Sequence, residues 1–200
     1  MPDTGAPWNI PYVESSDLVS DWPADSLALA NAIDAGLDAA GGLVDVKSAL
    51  FTGTQTNSTA SGANFAVTDL SITHTLADSS NKLIISAYLG TSGNADGYGS
   101  VGLAVAEDGT LIGVGAAAGS RTVVGAGGRV SDGSATFVTA MPSVTFVYEP
   151  GDTSSHTYTV RALNISAGTN TIYINRRESD GDGAGAPRGT SALVIQEVKV

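Results

Sequence analysis

From Leu43 to Val200 the chain carries no helical apolar period; short apolar runs alternate instead with clusters of turn residues. The runs that read as strands are Val67 to Leu76, Lys82 to Leu89, Val101 to Ala106, Thr110 to Gly115, Arg121 to Val130, Phe137 to Tyr148, Thr157 to Ile165, Thr171 to Arg176 and Ser191 to Val200. Asp78-Ser79-Ser80-Asn81 supplies a turn between the first two, and Asp108-Gly109 supplies the positive φ angles of a tight hairpin. About eight to ten strands in about 155 residues, with no helix between them, predict a sandwich or barrel. Pro142 cannot donate to a ladder, so Ala135 to Tyr148 must hold an edge, a bulge or two separate strands. The last strand reaches Val200, which ties the end of the chain into a sheet.

The first forty residues are of another kind. In Thr4 to Tyr12, Pro7 and Pro11 stiffen an extended ribbon, and Trp8, Ile10 and Tyr12 fall at period two along it. Such a ribbon reads as an anchor that buries its aromatic residues against a partner. Asp21 then caps a helix that Pro23 can open, and Ala24 to Ala40 are strong helix formers. Trp22, Leu29, Ile33 and Leu37 form one apolar stripe, ended by Gly41-Gly42. That stripe fits either the β-domain of its own chain or copies of itself around an axis. The expected division is an arm over 1–20, a helix and glycine linker over 21–42, and a β-sandwich over 43–200.

Composition removes several functions. Twenty acidic against nine basic residues leave a net charge of −11, which opposes binding to nucleic acid. There is no cysteine for disulfides or thiolate metal sites, and no apolar run long enough for membrane insertion. Asn57-Ser58-Thr59 and Asn164-Ile165-Ser166 match the glycosylation pattern without a signal segment to give it meaning.

Candidate chemistry is sparse. His74 and His156 are the two imidazoles, and His74 shares a face with Leu70, Ile72 and Leu76, as a hydrogen-bonded core or interface histidine would. Gly97-Tyr98-Gly99-Ser100-Val101-Gly102 has the letters of a dinucleotide fingerprint, but a strand follows where that motif needs a helix. No serine stands in a Gly-x-Ser-x-Gly elbow, and the chain reads as non-enzymatic with no cofactor. Glu178, Asp180 and Asp182 place three carboxylates at alternate loop positions, a weak Ca²⁺ candidate that Arg176, Arg177 and Arg188 are close enough to neutralise.

The opening Thr4-Gly5-Ala6-Pro7-Trp8-Asn9-Ile10-Pro11-Tyr12, with Asp21-Trp22-Pro23 and the Ala-rich helix, resembles the N-terminal segment of tailed-bacteriophage tail-fibre or minor tail proteins. Asp69-Leu70-Ser71-Ile72-Thr73, Ser79-Ser80-Asn81-Lys82-Leu83, Asp108-Gly109-Thr110-Leu111 and Thr171-Ile172-Tyr173-Ile174-Asn175-Arg176 resemble the C-terminal knob of such fibres, similar in fold to trimeric jelly rolls of the complement and tumour-necrosis-factor type. The resemblance implies an antiparallel jelly roll, a homotrimer, and a place on the virion, at the tail or capsid surface. It further implies that Pro7, Trp8, Ile10, Pro11 and Tyr12 dock to another virion protein, that Trp22, Leu29, Ile33 and Leu37 help to trimerise the chain, and that the knob faces a host-surface glycan. The long shaft of an extended fibre is missing between arm and knob, which favours a short fibre. A capsid decoration protein stapled by the same arm is one alternative. A carbohydrate-binding module is another, although Tyr88, Tyr98, Tyr148, Tyr158 and Tyr173 are scattered along the chain.

Overall fold

The structure, a computed structural model, describes residues 22–39, 42–93, 100–129, 139–178, 180–182 and 188–200. The anchoring residues Pro7, Trp8, Ile10, Pro11 and Tyr12 lie outside these. The chain divides into a compact unit over Val44–Val198 and a second one of Met1–Leu43 with Lys199–Val200. In the smaller unit one helix, α1 (Trp22–Ala39), occupies the stretch read as helical.

The described β segments are β1 (Leu43–Phe51), β2 (Gln55–Thr59), β3 (Asn64–Thr75), β4 (Lys82–Tyr88), β5 (Thr91–Gly93), β6 (Ser100–Glu107), β7 (Thr110–Ile112), β8 (Ala126–Arg129), β9 (Thr139–Ala140), β10 (Ser143–Tyr148), β11 (Ser155–Asn164), β12 (Asn170–Ile174) and β13 (Ser191–Val198). The stretch from Leu43 to Thr59, unassigned from sequence, supplies two of them. Three ladders result, ordered β1-β13-β4-β10, β2-β12-β5-β9, and β3-β11-β6-β7 with β8 also on β6. The first two have the same order, each strand replaced by its neighbour in the chain, so they are two lengths of one interrupted sheet. Counting each interrupted strand once, the sheets follow the order 1-8-3-6 and 2-7-4-5, the two rolled Greek keys of a jelly roll. The fold is therefore a mainly β, antiparallel jelly-roll sandwich.

Alternation builds its core. In β4, Leu83, Ile85 and Ala87 are buried while the residues between them are half-exposed. They meet Leu70 and Ile72 of β3, Val101, Leu103 and Val105 of β6, Val160 of β11, and Leu193 and Ile195 of β13 in one cluster. Each such side chain, fully buried, contributes about 1.5–3 kcal/mol. In β3, Asp69 takes a positive φ of 59°, and the register against β11 slips between Thr159 and Arg161. That bulge lets Val67 and Leu70 both face inward, three positions apart.

The turns follow their chemistry. Asp108 and Gly109 have φ of 47° and 91°, the primed turn expected of Asp-Gly. The Asp78 carboxylate accepts from the Ser80 amide at 2.8 Å, an Asx turn that starts β4. Gly102, last glycine of the fingerprint-like stretch, lies inside β6, where an added Cβ would stand 2.5 Å from Val124. This glycine serves close packing of chain on chain. Asn164 is fully buried and its amide donates to the Thr59 and Gly168 carbonyls, so it offers nothing to a glycan.

Candidate functional site

The interrupted sheet breaks along one transverse line. Leu89 and Gly90 separate β4 from β5, Met141 and Pro142 separate β9 from β10, residues 52–54 separate β1 from β2, and residues 175–190 separate β12 from β13. Pro142 thus stands between two strands, and its carbonyl accepts from the Leu89 amide across the break at 3.0 Å.

One side chain ties this seam together. Asn175, buried and at a positive φ of 59°, donates its amide to the Phe51 and Gly53 carbonyls at 2.8 and 2.9 Å. Its Oδ1 accepts from Ser191 Oγ at 2.6 Å, and Ser191 Oγ in turn accepts from the Gly90 amide at 3.0 Å. The Asn175 backbone donates to the Gly90 carbonyl and accepts from the Gly189 amide. The excursion from Arg176 to Thr190 is therefore an insertion within a single strand position, closed at its base.

A cavity of about 250 Å³ opens at this seam, lined by Gly90, Thr91, Ala140, Met141, Asn175, Arg176, Arg188 and Gly189. Met141 is 64% exposed on its rim. Arg176 lies 4.7 Å above the Tyr173 ring and donates to Thr56 Oγ1 at 2.8 Å. Arg188 donates to Asp180 Oδ2 at 2.8 Å, and Arg176 Nη1 stands 4.0 Å from the same oxygen. The Tyr173 hydroxyl is pushed up first by burial and then by the Glu178 charge, with Arg176 opposing. Of the weak Ca²⁺ set, Asp180 thus faces arginine; among the described residues no group of three or more His, Asp or Glu is arranged to hold a metal ion.

No protein-family model matches the chain, and no curated protein matches it either.

The outer surfaces of the two sheets differ in chemistry. On β3 and β11, Ser71 pairs with Thr159 at 3.1 Å and Thr73 with Thr157 at 3.3 Å, a ladder of hydroxyls. On the opposite sheet, Val44, Val46 and Leu50 of β1 and Val147 of β10 are 43%, 48%, 59% and 61% exposed. Ile84 of β4 sits opposite Val147, and Val194 of β13 opposite Ser86, on the same outer surface. The Lys82–Glu149 pair at 2.8 Å bounds this apolar face at one end. Of the stripe on α1, Ile33 is 44% exposed and Leu29 half-buried; the side chains of Trp22 and Leu37 lie outside the described residues.

Both histidines are engaged in structure. His74, 3% exposed, is 2.9 Å from Glu197 Oε2, and Glu197 Oε1 accepts from the Ala77 amide at 2.8 Å and Asn81 Nδ2 at 2.6 Å. His156 Nδ1 is 2.7 Å from Asp108, its Nε2 is 3.1 Å from Asp152, and Glu107 accepts the Tyr148 and Tyr158 hydroxyls. The Asp108 and Asp152 bonds raise the His156 pKa, while the backbone amides of Thr157 and Ser154, followed by His156, lower those of Asp108 and Asp152. Burial and Glu107 push Tyr148 up to about 12 and Tyr158 up as well.

His156 thus clamps the turn after β6 to the turn after β10. Its raised pKa gives stability that is full below the ordinary histidine value and is lost as pH rises through the folded value; the lowered aspartates lose theirs as pH falls through their folded values. The gap in melting temperature between the native chain and His156→Ala should therefore be widest between these limits and narrow in alkali. A gap unchanged at alkaline pH would show that the clamp does not depend on charge.

Sequence reading missed Asn175, Glu107 and Glu197 because each is an ordinary polar residue at a strand end. The signal present for Asn175 was a lone asparagine in Ile174-Asn175-Arg176, a residue type that tolerates positive φ where a strand stops.

Proposed function

We propose that this chain is a non-enzymatic structural protein of a bacteriophage virion: a homotrimeric short tail fibre whose arm docks to the particle and whose jelly roll faces the host surface. The observation that carries this reading is the unequal chemistry of the two sheets' outer faces. Val44, Val46, Leu50, Ile84, Val147 and Val194 set apolar side chains over one face, around a single Ser86–Thr145 hydroxyl pair, while the other carries a hydroxyl ladder suited to water. At a net charge of −11, copies of the chain repel over most of their surface. An apolar face bounded by a paired Lys82 and Glu149 is where they approach without that cost, and a second copy is the partner it fits. The arm and knob of tailed-phage fibres, which the sequence resembles from Thr4 to Arg176, supply the particle and the threefold symmetry.

Light scattering of the full chain at micromolar concentration should give three times the chain mass, and Val46→Asp with Val147→Asp should return a folded monomer. Burying unpaired carboxylates against apolar residues weakens association by about a hundredfold or more. A native chain that is monomeric at that concentration rejects the trimer. Antibody labelling of purified particles, read by electron microscopy, places the protein on the tail; absence of label from intact particles rejects the virion reading.

A further inference from the structure

We propose that His74 is a proton switch on the edge strand β1: a second ring proton lets it bind Asp45 and lock the end of β1 that carries Val44 and Val46. β1 is the outermost strand of its ladder, so this end is held by backbone bonds on one side only. Its side chains alternate, Val44 and Val46 on the exposed apolar face, Asp45 and Lys47 turned toward β3. Lys47 donates to the Thr73 carbonyl at 3.0 Å and reaches Asp45 only at 3.9 Å. Asp45 Oδ2 faces His74 Nδ1 at 3.6 Å, too long for a hydrogen bond, and Nδ1 is buried with no hydrogen-bond partner. The other ring nitrogen explains this. Nε2 lies 2.9 Å from Glu197 Oε2, and that carboxylate, which also takes Asn81 and the Ala77 amide, can only accept. Nε2 therefore carries the proton of the neutral ring, which leaves Nδ1 a bare acceptor facing a carboxylate. A proton from solvent turns Nδ1 into a donor and completes a chain from Asp45 through the imidazolium to Glu197, joining β1, β3 and β13. His156, opposite His74 in the register, already has both nitrogens engaged, by Asp108 and Asp152.

Hydrogen exchange of the full chain at pH 8 and pH 5.5, corrected for the intrinsic rate, tests this, because imidazoles change charge across that interval while Glu197 stays ionised. Relative to the amides of β4, which report opening of the whole sandwich and with it the His156 clamp, protection between Val44 and Lys47 should rise about three- to tenfold at pH 5.5. That is the worth of a charge-assisted bond to a half-exposed carboxylate. The His74 Nδ1 signal in a ¹⁵N spectrum should pass from bare to protonated nitrogen over the same interval. Asp45→Asn should abolish the rise, since its side-chain amide can donate to the bare Nδ1 or accept from the protonated one. Asp45 is 43% exposed, so the variant should melt as the native chain does; if it does not, the native exchange and the Nδ1 signal decide. Equal protection of β1 at the two pH values, a rise that persists in a folded Asp45→Asn, or an Nδ1 already protonated at pH 8 overturns the proposal. Because Val44 and Val46 belong to the assembly face, trimers should also resist dilution better at pH 5.5; this consequence alone rests on the trimer reading. The two fail separately: a monomer with the exchange response keeps the switch and rejects the trimer, and a trimer without it does the reverse.

Discussion

Glu197→Ala should lower the stability of the β-sandwich by about 3–5 kcal/mol, measured by denaturant unfolding at neutral pH. Glu197 is 1% exposed and its two oxygens take three donors, from His74, the Ala77 amide and Asn81. Removing it strands those donors in the interior, and each buried donor left without a partner costs about 1–3 kcal/mol. For a domain of this size the loss corresponds to a fall in melting temperature of roughly 10 °C. Glu197→Gln keeps an acceptor and should lose less. A native-like midpoint in Glu197→Ala would mean that water or a shifted side chain replaces the carboxylate at little cost.

The same residue sets an acid limit. Burial raises the Glu197 pKa, but the bonds from Asn81, the Ala77 amide and His74 outweigh burial, and the result lies below the ordinary value of 4.5. A group lowered in the folded state gives stability that is present above its unfolded pKa and is lost as pH falls through the folded one. The native chain should therefore lose stability on acidification below about 4.5, more steeply than Glu197→Gln does.

Asn175→Ala should cost about 3–4 kcal/mol, and the damage should be local first. The alanine would leave the Phe51 and Gly53 carbonyls and the Ser191 hydroxyl without their partner, and would hold a positive φ that costs an L-residue about 1 kcal/mol or more. Hydrogen exchange should speed up at the Gly90 and Gly189 amides before the rest of the sandwich loosens. Asn175→Asp tolerates the backbone but sets a buried carboxylate oxygen against the Phe51 and Gly53 carbonyls, two acceptors, so at neutral pH it should cost at least as much as alanine. Unchanged exchange at Gly90 in Asn175→Ala would show that the backbone bonds hold the seam unaided.

Much of the sandwich was legible because strand signals are local. Leu70, Ile72 and Leu76 announce a buried face by alternation, Asp108-Gly109 announces its turn by φ preference, and Pro142, by its missing donor, restricts Ala135 to Tyr148 to an edge, a bulge or two strands. His74 was readable as a core histidine from the face it shares with Leu70 and Ile72. Its partner was not, since Glu197 lies 123 positions away and Gln196-Glu197-Val198 reads as the wet end of a strand. The seam was hidden for a similar reason. That Gly90, Met141, Gly53 and Asn175 break their strands at one level is a property of register between distant segments, which no local window contains. The bulge at Asp69 belongs to the same class, because it exists only relative to β11.

Closing the insertion at its base has a consequence for how this protein can change. Ser191 and Asn175 meet at 2.6 Å, so the strand resumes in register whatever the intervening residues do. For a loop pinned at both ends, each doubling of length costs only about 0.6 kcal/mol. A foreign peptide spliced between Asp182 and Arg188, longer or shorter, leaves the Asn175, Gly189 and Ser191 bonds in place, and the eight-position roll beneath it should fold as before.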